Sequence, residues 1–243
     1  EVAGLAGLER LTFISPHPKD FTEKIVASLG HLTRLNPRVH LPLQSASDRV
    51  LRRMNRKYTI AEFHDKAELL RRHIPDCAIT TDIIVGFPGE TEDDFERTLD
   101  YVRTGAFANA YTFMYSIRRG TPAARWEQVP REVATARFAR LVEAQNAVTR
   151  AHHDRKLAKT VRALVAGDSK KDASKLAVKA LDNVTIVVPK PDDYDVDTYA
   201  REPWVDVEIE SAHLWGCTGS IARRSARYDL PGSAVKRTLV SLL

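Results

Sequence analysis

The sequence predicts an α/β fold built on parallel strands, followed by a small all-β unit. Three observations lead there. Short β-branched runs alternate with helical patterns through the first half of the 243 residues, the order that a parallel sheet with crossover helices produces. One run, Asp82-Ile-Ile-Val-Gly-Phe-Pro-Gly-Glu-Thr-Glu-Asp-Asp-Phe95, passes from a buried strand through a glycine turn into a helix. Beyond residue 159, short strands recur at fairly regular spacing with Gly, Asp and Pro between them, the pattern of a small barrel.

The elements follow in order. A strand is expected at 11–15, then a helix at 21–32 with Phe21, Ile25, Val26 and Leu29 on one face. A second strand at 39–44 precedes a helix at 46–56 (Val50, Leu51, Met54) and another at 59–73, which opens on a Thr59/Glu62 capping box and carries Phe63, Ala67, Leu70 and Ile74. The third strand, 78–86, ends at Gly86. Thr91 then begins a helix with Asp94 as its reciprocal cap and Phe95, Leu99 and Val102 as its apolar stripe, while Glu92, Asp93 and Asp94 suit the positive end of the helix dipole. The fourth strand is expected at 110–117. Little alternation within these strands predicts burial on both faces.

Pro130 starts the longest helix at its first helical position. It runs to about residue 159 with Ala134, Phe138, Leu141, Gln145 and Val148 inward and a basic far end of Arg150, His152, His153, Arg155, Lys156 and Lys159. Barrel strands are expected at 161–165, 176–180, 184–188, 205–209 and 220–222, with 189–199 an acidic, proline-containing loop. The chain divides into an α/β part with its linking helix (1–158), a β-barrel (159–225) and a basic tail (226–243).

A hydrophobic content of 43% and a charged content of 28% describe a globular chain and exclude a disordered one. The net charge of +5 leans toward anionic partners. Two cysteines, Cys77 and Cys217, provide neither a disulfide framework nor an iron–sulfur spacing, and they fit a reducing compartment. With no signal peptide and no membrane-length apolar run, the expected location is the cytoplasm. The chain opens without an initiator Met and runs at once into a strand, which predicts a fragment.

Each α/β strand ends in polar, small or charged residues: Ser15-Pro16-His17-Pro18, Gln44-Ser45-Ala46-Ser47-Asp48, the Gly86 turn with Asp82 inside the strand, and Tyr115-Ser116-Ile117-Arg118-Arg119-Gly120-Thr121-Pro122. In a parallel barrel such ends converge on one mouth, where ligands bind. Singly, each has a structural reading. Gln44 and Ser45 cap the next helix, with Ser45 or Ser47 at the N-cap. Asp82 pairs with a buried Arg or accepts loop N–H groups. His17 is a turn residue, Arg118 and Arg119 are solvated charges, and His152 and His153 suit a helix C-terminus. Their joint occurrence favours a bound ligand, since Gln44 and Asp82 are costly to bury without partners.

The runs Ser15-Pro-His-Pro18, His40-Leu-Pro-Leu-Gln-Ser45, Met54-Asn-Arg-Lys-Tyr58, Asp82-Ile-Ile-Val-Gly-Phe-Pro-Gly-Glu-Thr91 and Tyr115-Ser-Ile-Arg118, followed by Gly120-Thr-Pro-Ala123, resemble the radical S-adenosylmethionine methylthiotransferases. The resemblance implies a partial TIM-type barrel holding the last four βα units, followed by a small TRAM-like RNA-binding barrel. It implies S-adenosylmethionine and [4Fe–4S] clusters as cofactors, the cluster ligands being absent from this chain, which alone is expected to be inactive. The implied substrate is an isopentenylated adenine in the anticodon stem-loop of tRNA, methylthiolated at C2. By resemblance Gln44 and Ser45 face the mouth near S-adenosylmethionine, Asp82 and Gly86 border its ribose or adenine, and Arg118 lies near its carboxylate or the substrate.

Three departures accompany the resemblance. Ala46 and Arg119 stand where the family usually has Gly and Pro, and Val178-Lys-Ala-Leu-Asp-Asn183 replaces a Gly-Arg-Thr-like stretch. With ten basic and eleven acidic residues over 159–224, charge alone does not argue for RNA on the barrel. The helix end and the tail (Arg223, Arg224, Arg227, Lys236, Arg237) are the better phosphate candidates. Alternatives are a methylthiotransferase acting on threonylcarbamoyladenosine or a ribosomal protein, and a non-catalytic RNA-binding protein on the same scaffold.

Overall fold

The computed structural model describes residues 5, 8–12, 18–32 and 34–225. Helix α1 (Glu23–Gly30) precedes β1 (Arg38–His40), α2 (Asp48–Arg53), α3 (Ile60–His73), β2 (Ala78–Val85), α4 (Glu92–Arg103) and β3 (Asn109–Met114). The strands form a parallel sheet in the order β1-β2-β3. Of the expected first strand, Leu11 makes a single parallel bridge to Leu35; residues 13–17, with His17, lie outside the described residues. Thr22, Ser47, Thr59 and Thr91 are N-caps, and both expected capping boxes are present.

β1 is shorter than the expected 39–44 because Pro42 has no N–H to give the ladder. The Thr81 hydroxyl fills the gap, donating to Leu41 O at 2.7 Å and accepting from Leu43 N–H at 2.8 Å. Pairing resumes at Gln44, whose N–H donates to Asp82 O (2.8 Å) and whose carbonyl accepts from Ile84 N–H (2.9 Å). Gln44 takes a left-handed φ of 70° to do so.

The sheet is covered on one face. Val39, Ile79, Ile83 and Val85 pack with Phe63, Ala67 and Leu70 of α3 and Phe95, Leu99 and Val102 of α4. The opposite face carries Arg38, His40, Asp82 and Ile84, half-buried, and Tyr111 and Phe113, exposed. The expectation of burial on both faces is corrected: the period-two alternation is hidden because apolar Ile84 and Phe113 stand on the open side. Ile25 of α1, expected inward, is likewise exposed.

Helix α5 (Arg131–Asp154) packs on α4, β3 and the barrel. Pro130 is its N-cap rather than its first helical residue, and Ala158, at a φ of 56°, ends the helical path before residue 159. Its buried row is Arg137, Leu141, Gln145, Thr149 and His153, so the expected stripe is turned by about one residue. Polar side chains occupy the inner row because each finds a partner: Arg137 reaches Glu90 and Glu92, Thr149 donates to Ala108 O at 3.3 Å, and His153 Nδ1 donates to His213 O at 2.7 Å.

Five strands then close a barrel in the order β4-β5-β6-β8-β7: β4 (Thr160–Ser169), β5 (Asp172–Ala180), β6 (Thr185–Pro189), β7 (Trp204–His213) and β8 (Gly216–Arg224). All pairings are antiparallel except β6 with β8. Leu176, Val178, Ile186, Val188, Val205 and Val207 fill it, and Tyr199 plugs it from α6 (Val196–Arg201), a helix in the stretch expected as loop. Among the described residues no helix is long and apolar enough to cross a membrane.

β8 runs close to β7 at Gly219, where a Cβ would lie 2.0 Å from Glu208 O. Gly219→Ala is therefore expected to destabilise the barrel by about 1–3 kcal/mol, read as a lowered urea midpoint; an unchanged midpoint would contradict this packing.

Candidate cofactor cleft at the strand ends

The carboxyl ends of the sheet strands border a cleft of about 340 Å³. Gln44, Asp82 and Arg118, expected from sequence as site residues, all line it. Ile84, Phe113 and Met114 supply an apolar floor. Tyr115 stands in the same wall, and its buried hydroxyl has no hydrogen-bond partner among the described residues. An amide, a carboxylate and a guanidinium converging over an apolar surface suit a ligand with a flat ring, hydroxyl groups and an anionic end.

Asp82 is held by His40, not by an arginine. His40 Nε2 lies 3.2 Å from Asp82 Oδ2, and its Nδ1 lies 3.1 Å from Thr80 Oγ1. Tyr111 packs beside the imidazole at 5.9 Å between ring centroids, and its hydroxyl accepts from Arg38 Nη2 at 3.2 Å. Sequence reading assigned no role to Arg38, His40 or Tyr111. The signal was available: 38 and 40, 80 and 82, and 111 and 113 each lie two apart on neighbouring strands, so all share one face.

Ser45 and Gly86 are placed differently. The Ser45 hydroxyl is buried, 3.3 Å from Thr98 Oγ1 and accepting from Ser47 N–H at 3.2 Å, so it joins α4 to the α2 cap. Gly86 has a φ of 74°, and a Cβ there would meet Ala134 of α5 at 2.8 Å. The missing side chain makes room for the helix rather than for a ligand backbone. Ala46 is not among the positive-φ residues, so alanine is unstrained there; Gln44 carries the unusual dihedral instead. Arg119 is exposed.

The turn after β2 is clamped from below. Glu90 Oε2 accepts from Gly86 N–H at 2.8 Å and from Arg137 Nη1 at 3.2 Å, and Arg137 Nε donates to Glu92 at 2.9 Å. Burial pushes the Glu90 carboxyl up to about 7, with the Gly86 amide and Arg137 opposing. Arg49 and Arg53 donate to the carbonyls of Gly89 (2.6 Å) and Pro88 (3.0 Å). Phe87 stacks edge-on against Tyr115 at 5.1 Å, which passes the rigidity of the turn to the cleft wall. Asp94 closes the assembly. Burial would raise its carboxyl, but hydrogen bonds from Arg49, Ser47 and Thr91 hold it well below the usual carboxylate range.

A [4Fe–4S] cluster takes cysteine thiolates. Burial pushes the Cys77 thiol, at the amino end of the sheet, up to about 12 and raises that of Cys217 inside the barrel. Two neutral thiols in separate layers do not fit such a cluster. A larger cavity of about 530 Å³ lies at the sheet's amino end against the barrel. Among its cations Arg71 reaches Glu68, Lys156 reaches Asp182 and Arg162 reaches Asp206. Burial would raise Asp182, but His152 and Lys156 hold it well below the ordinary range, so this side works as a clasp between the end of α5 and the β5–β6 turn of the barrel.

Residues 2–102 match the family model of the Radical SAM superfamily. The chain is 41% identical over 224 residues to the tRNA-2-methylthio-N(6)-dimethylallyladenosine synthase of Acetivibrio thermocellus, which aligns 92% of this chain with 45% of that protein. It is 50% identical over 181 residues to the Acidothermus cellulolyticus protein of the same name (73% of this chain, 36% of that one). Residues 2–102 are a radical SAM segment. A Salinispora arenicola protein of that name is 51% identical over 168 residues. The chain spans less than half the length of these curated relatives. Among solved structures, the radical SAM enzyme coproporphyrinogen III oxidase from Escherichia coli covers 56% of this chain and 31% of its own, at 17% identity and a TM-score of 0.45.

Two outcomes follow from the turn. Gly86→Ala must adopt a left-handed conformation, costing about 1–2 kcal/mol, and must also displace Ala134, so its thermal midpoint falls. For Asp94 the folded pKa lies below the unfolded one. Its contribution is therefore complete above about pH 4 and is lost as the pH drops through the folded value. Asp94→Asn is expected to cost about 1–2 kcal/mol at pH 7, and denaturation midpoints of wild type and variant should converge as the pH is lowered toward 2. A gap that stays constant with pH would refute the assignment.

Proposed function

We propose that the chain forms the cofactor-facing and RNA-facing part of a tRNA methylthiotransferase, acting in the cytoplasm on N6-isopentenyladenosine in the anticodon stem-loop. In this reading residues 1–158 contribute the catalytic core and 159–225 a TRAM-like barrel that holds RNA. The observation that carries it is the meeting of Gln44, Asp82 and Arg118 over the apolar floor of one cleft. The names of the relatives support the reaction and the substrate.

S-adenosylmethionine fits the donor set, and when bound it supplies the family's radical chemistry. Asp82 accepts hydrogen bonds from the ribose hydroxyls, with His40 fixing the carboxylate. Phe113, Met114 and Ile84 shelter the adenine from water. Arg118 meets the carboxylate of the amino-acid end, and the Gln44 amide completes the rim. The cluster that the reaction requires would be ligated by residues beyond these 243, because Cys77 and Cys217 do not suit it.

In the intact enzyme, Asp82→Ala and Gln44→Ala are expected to weaken S-adenosylmethionine binding about tenfold, near 1.4 kcal/mol, with unchanged circular dichroism. Titration calorimetry giving wild-type affinity would remove both residues from the site. Deleting the full gene should leave tRNA with isopentenyladenosine but no 2-methylthio derivative; persistence of the methylthio group in nucleoside analysis would exclude this substrate.

A further inference from the structure

Beside the cofactor cleft, a second pocket of about 210 Å³ lies where the open sheet face, the end of α5 and the barrel meet. His152 and Asp182 of the clasp form one edge of it, and most of the rest of its lining differs from that of the larger cavity. Asn109, Asn146 and Asn183 contribute amides, Arg38 a guanidinium, and Tyr111 and Trp215 aromatic rings. Trp215, at the tip of the β7–β8 hairpin, is 86% exposed. No fold requirement explains a bare indole there, since both flanking strands are fully paired through His213 and Gly216. Amides that both donate and accept, a planar cation and a free aromatic surface are the means by which proteins hold an unstacked nucleobase. The volume admits one base and no helix.

The pocket lies toward the amino ends of the strands whose carboxyl ends border the cofactor cleft. Thr80 and Tyr111 line it, and Asp82 and Phe113, two residues further along the same strands and on the same face, line the cofactor cleft. Two residues of strand span about 7 Å, so the two sites are adjacent stations on one surface.

We infer that this pocket receives one unpaired base flanking the modified nucleotide, stacked on Trp215 and contacted at its edge by Asn109, Asn146 and Arg38. The inference rests on the proposed RNA substrate and adds the residues that read the loop outside the reacting base. Trp215 acts by positioning and touches no reacting atom.

The test uses the intact protein and a fluorescently labelled anticodon stem-loop oligoribonucleotide carrying isopentenyladenosine. Trp215→Ala is expected to weaken RNA binding about tenfold, as loss of one stacked base does, and Trp215→Phe to restore most of it. The salt dependence should keep its slope, because no phosphate contact is lost, and S-adenosylmethionine affinity should not move. In a double-mutant cycle, an abasic residue flanking the modified nucleotide should weaken wild type by the same factor and leave Trp215→Ala unaffected. Equal RNA affinities of wild type and Trp215→Ala, or fully additive losses in the cycle, would overturn the pocket while leaving the tRNA reading intact. A wild-type protein that does not bind the stem-loop at all would overturn that reading itself.

Discussion

The guanidinium of Arg137, only 7% exposed, is the contact on which the arrangement of this molecule depends. It leaves α5 to enter the turn after β2, where Glu90 and Glu92 receive it. A buried charge missing its partners costs several kcal/mol, so α5 is confined to the one position that satisfies it. That position sets the approach of Ala134 to Gly86 and the direction in which α5 carries the barrel. Further along the same helix face, His153 reaches the carbonyl of His213, two residues from Trp215. One row of inward polar groups thus relates the carboxyl end of the sheet to the hairpin tip of the barrel.

The open face of the sheet departs from what packing alone would select. Exposed Tyr111 and Phe113 and half-buried His40 and Asp82 would be poor choices for a covered layer. On the open side they form a graded surface: amides, Arg38 and aromatic rings at one end, a carboxylate over an apolar floor at the other. The histidine between them contacts Thr80 and Asp82 through its two nitrogens, which keeps the carboxylate fixed before anything binds. Preorganisation of this kind limits the ordering cost at the moment of association.

The scaffold beneath is rigid because its turn residues are over-determined. The Gly-Phe-Pro-Gly turn has two carbonyls taken by Arg49 and Arg53 and one amide taken by Glu90. Its aromatic residue leans on the cleft wall. Local conformations that cost energy alone, such as the left-handed Gln44, persist where neighbouring contacts leave no alternative. At Gln44 those contacts are the two ladder hydrogen bonds to β2 that resume pairing after the proline break.

The sequence by itself determined most of the elements and the residue types at the strand ends. Caps such as Thr91 with Asp94 act within four residues, and β-branched runs need no partner to be recognised. That Gln44, Asp82 and Arg118 would line one cleft was legible because polar groups at the ends of apolar strands have few other reasons to be there. Only the tertiary structure decided which of these groups share a cavity and which, like Ser45 and Gly86, serve packing. It also decided the α5 inner row, since Arg137, Thr149 and His153 look solvent-facing until Glu90, Ala108 and His213 arrive from distant segments. The reason is physical. Local signals depend on backbone geometry over a turn or two, whereas the burial of a polar side chain is settled by partners that sequence spacing does not reveal.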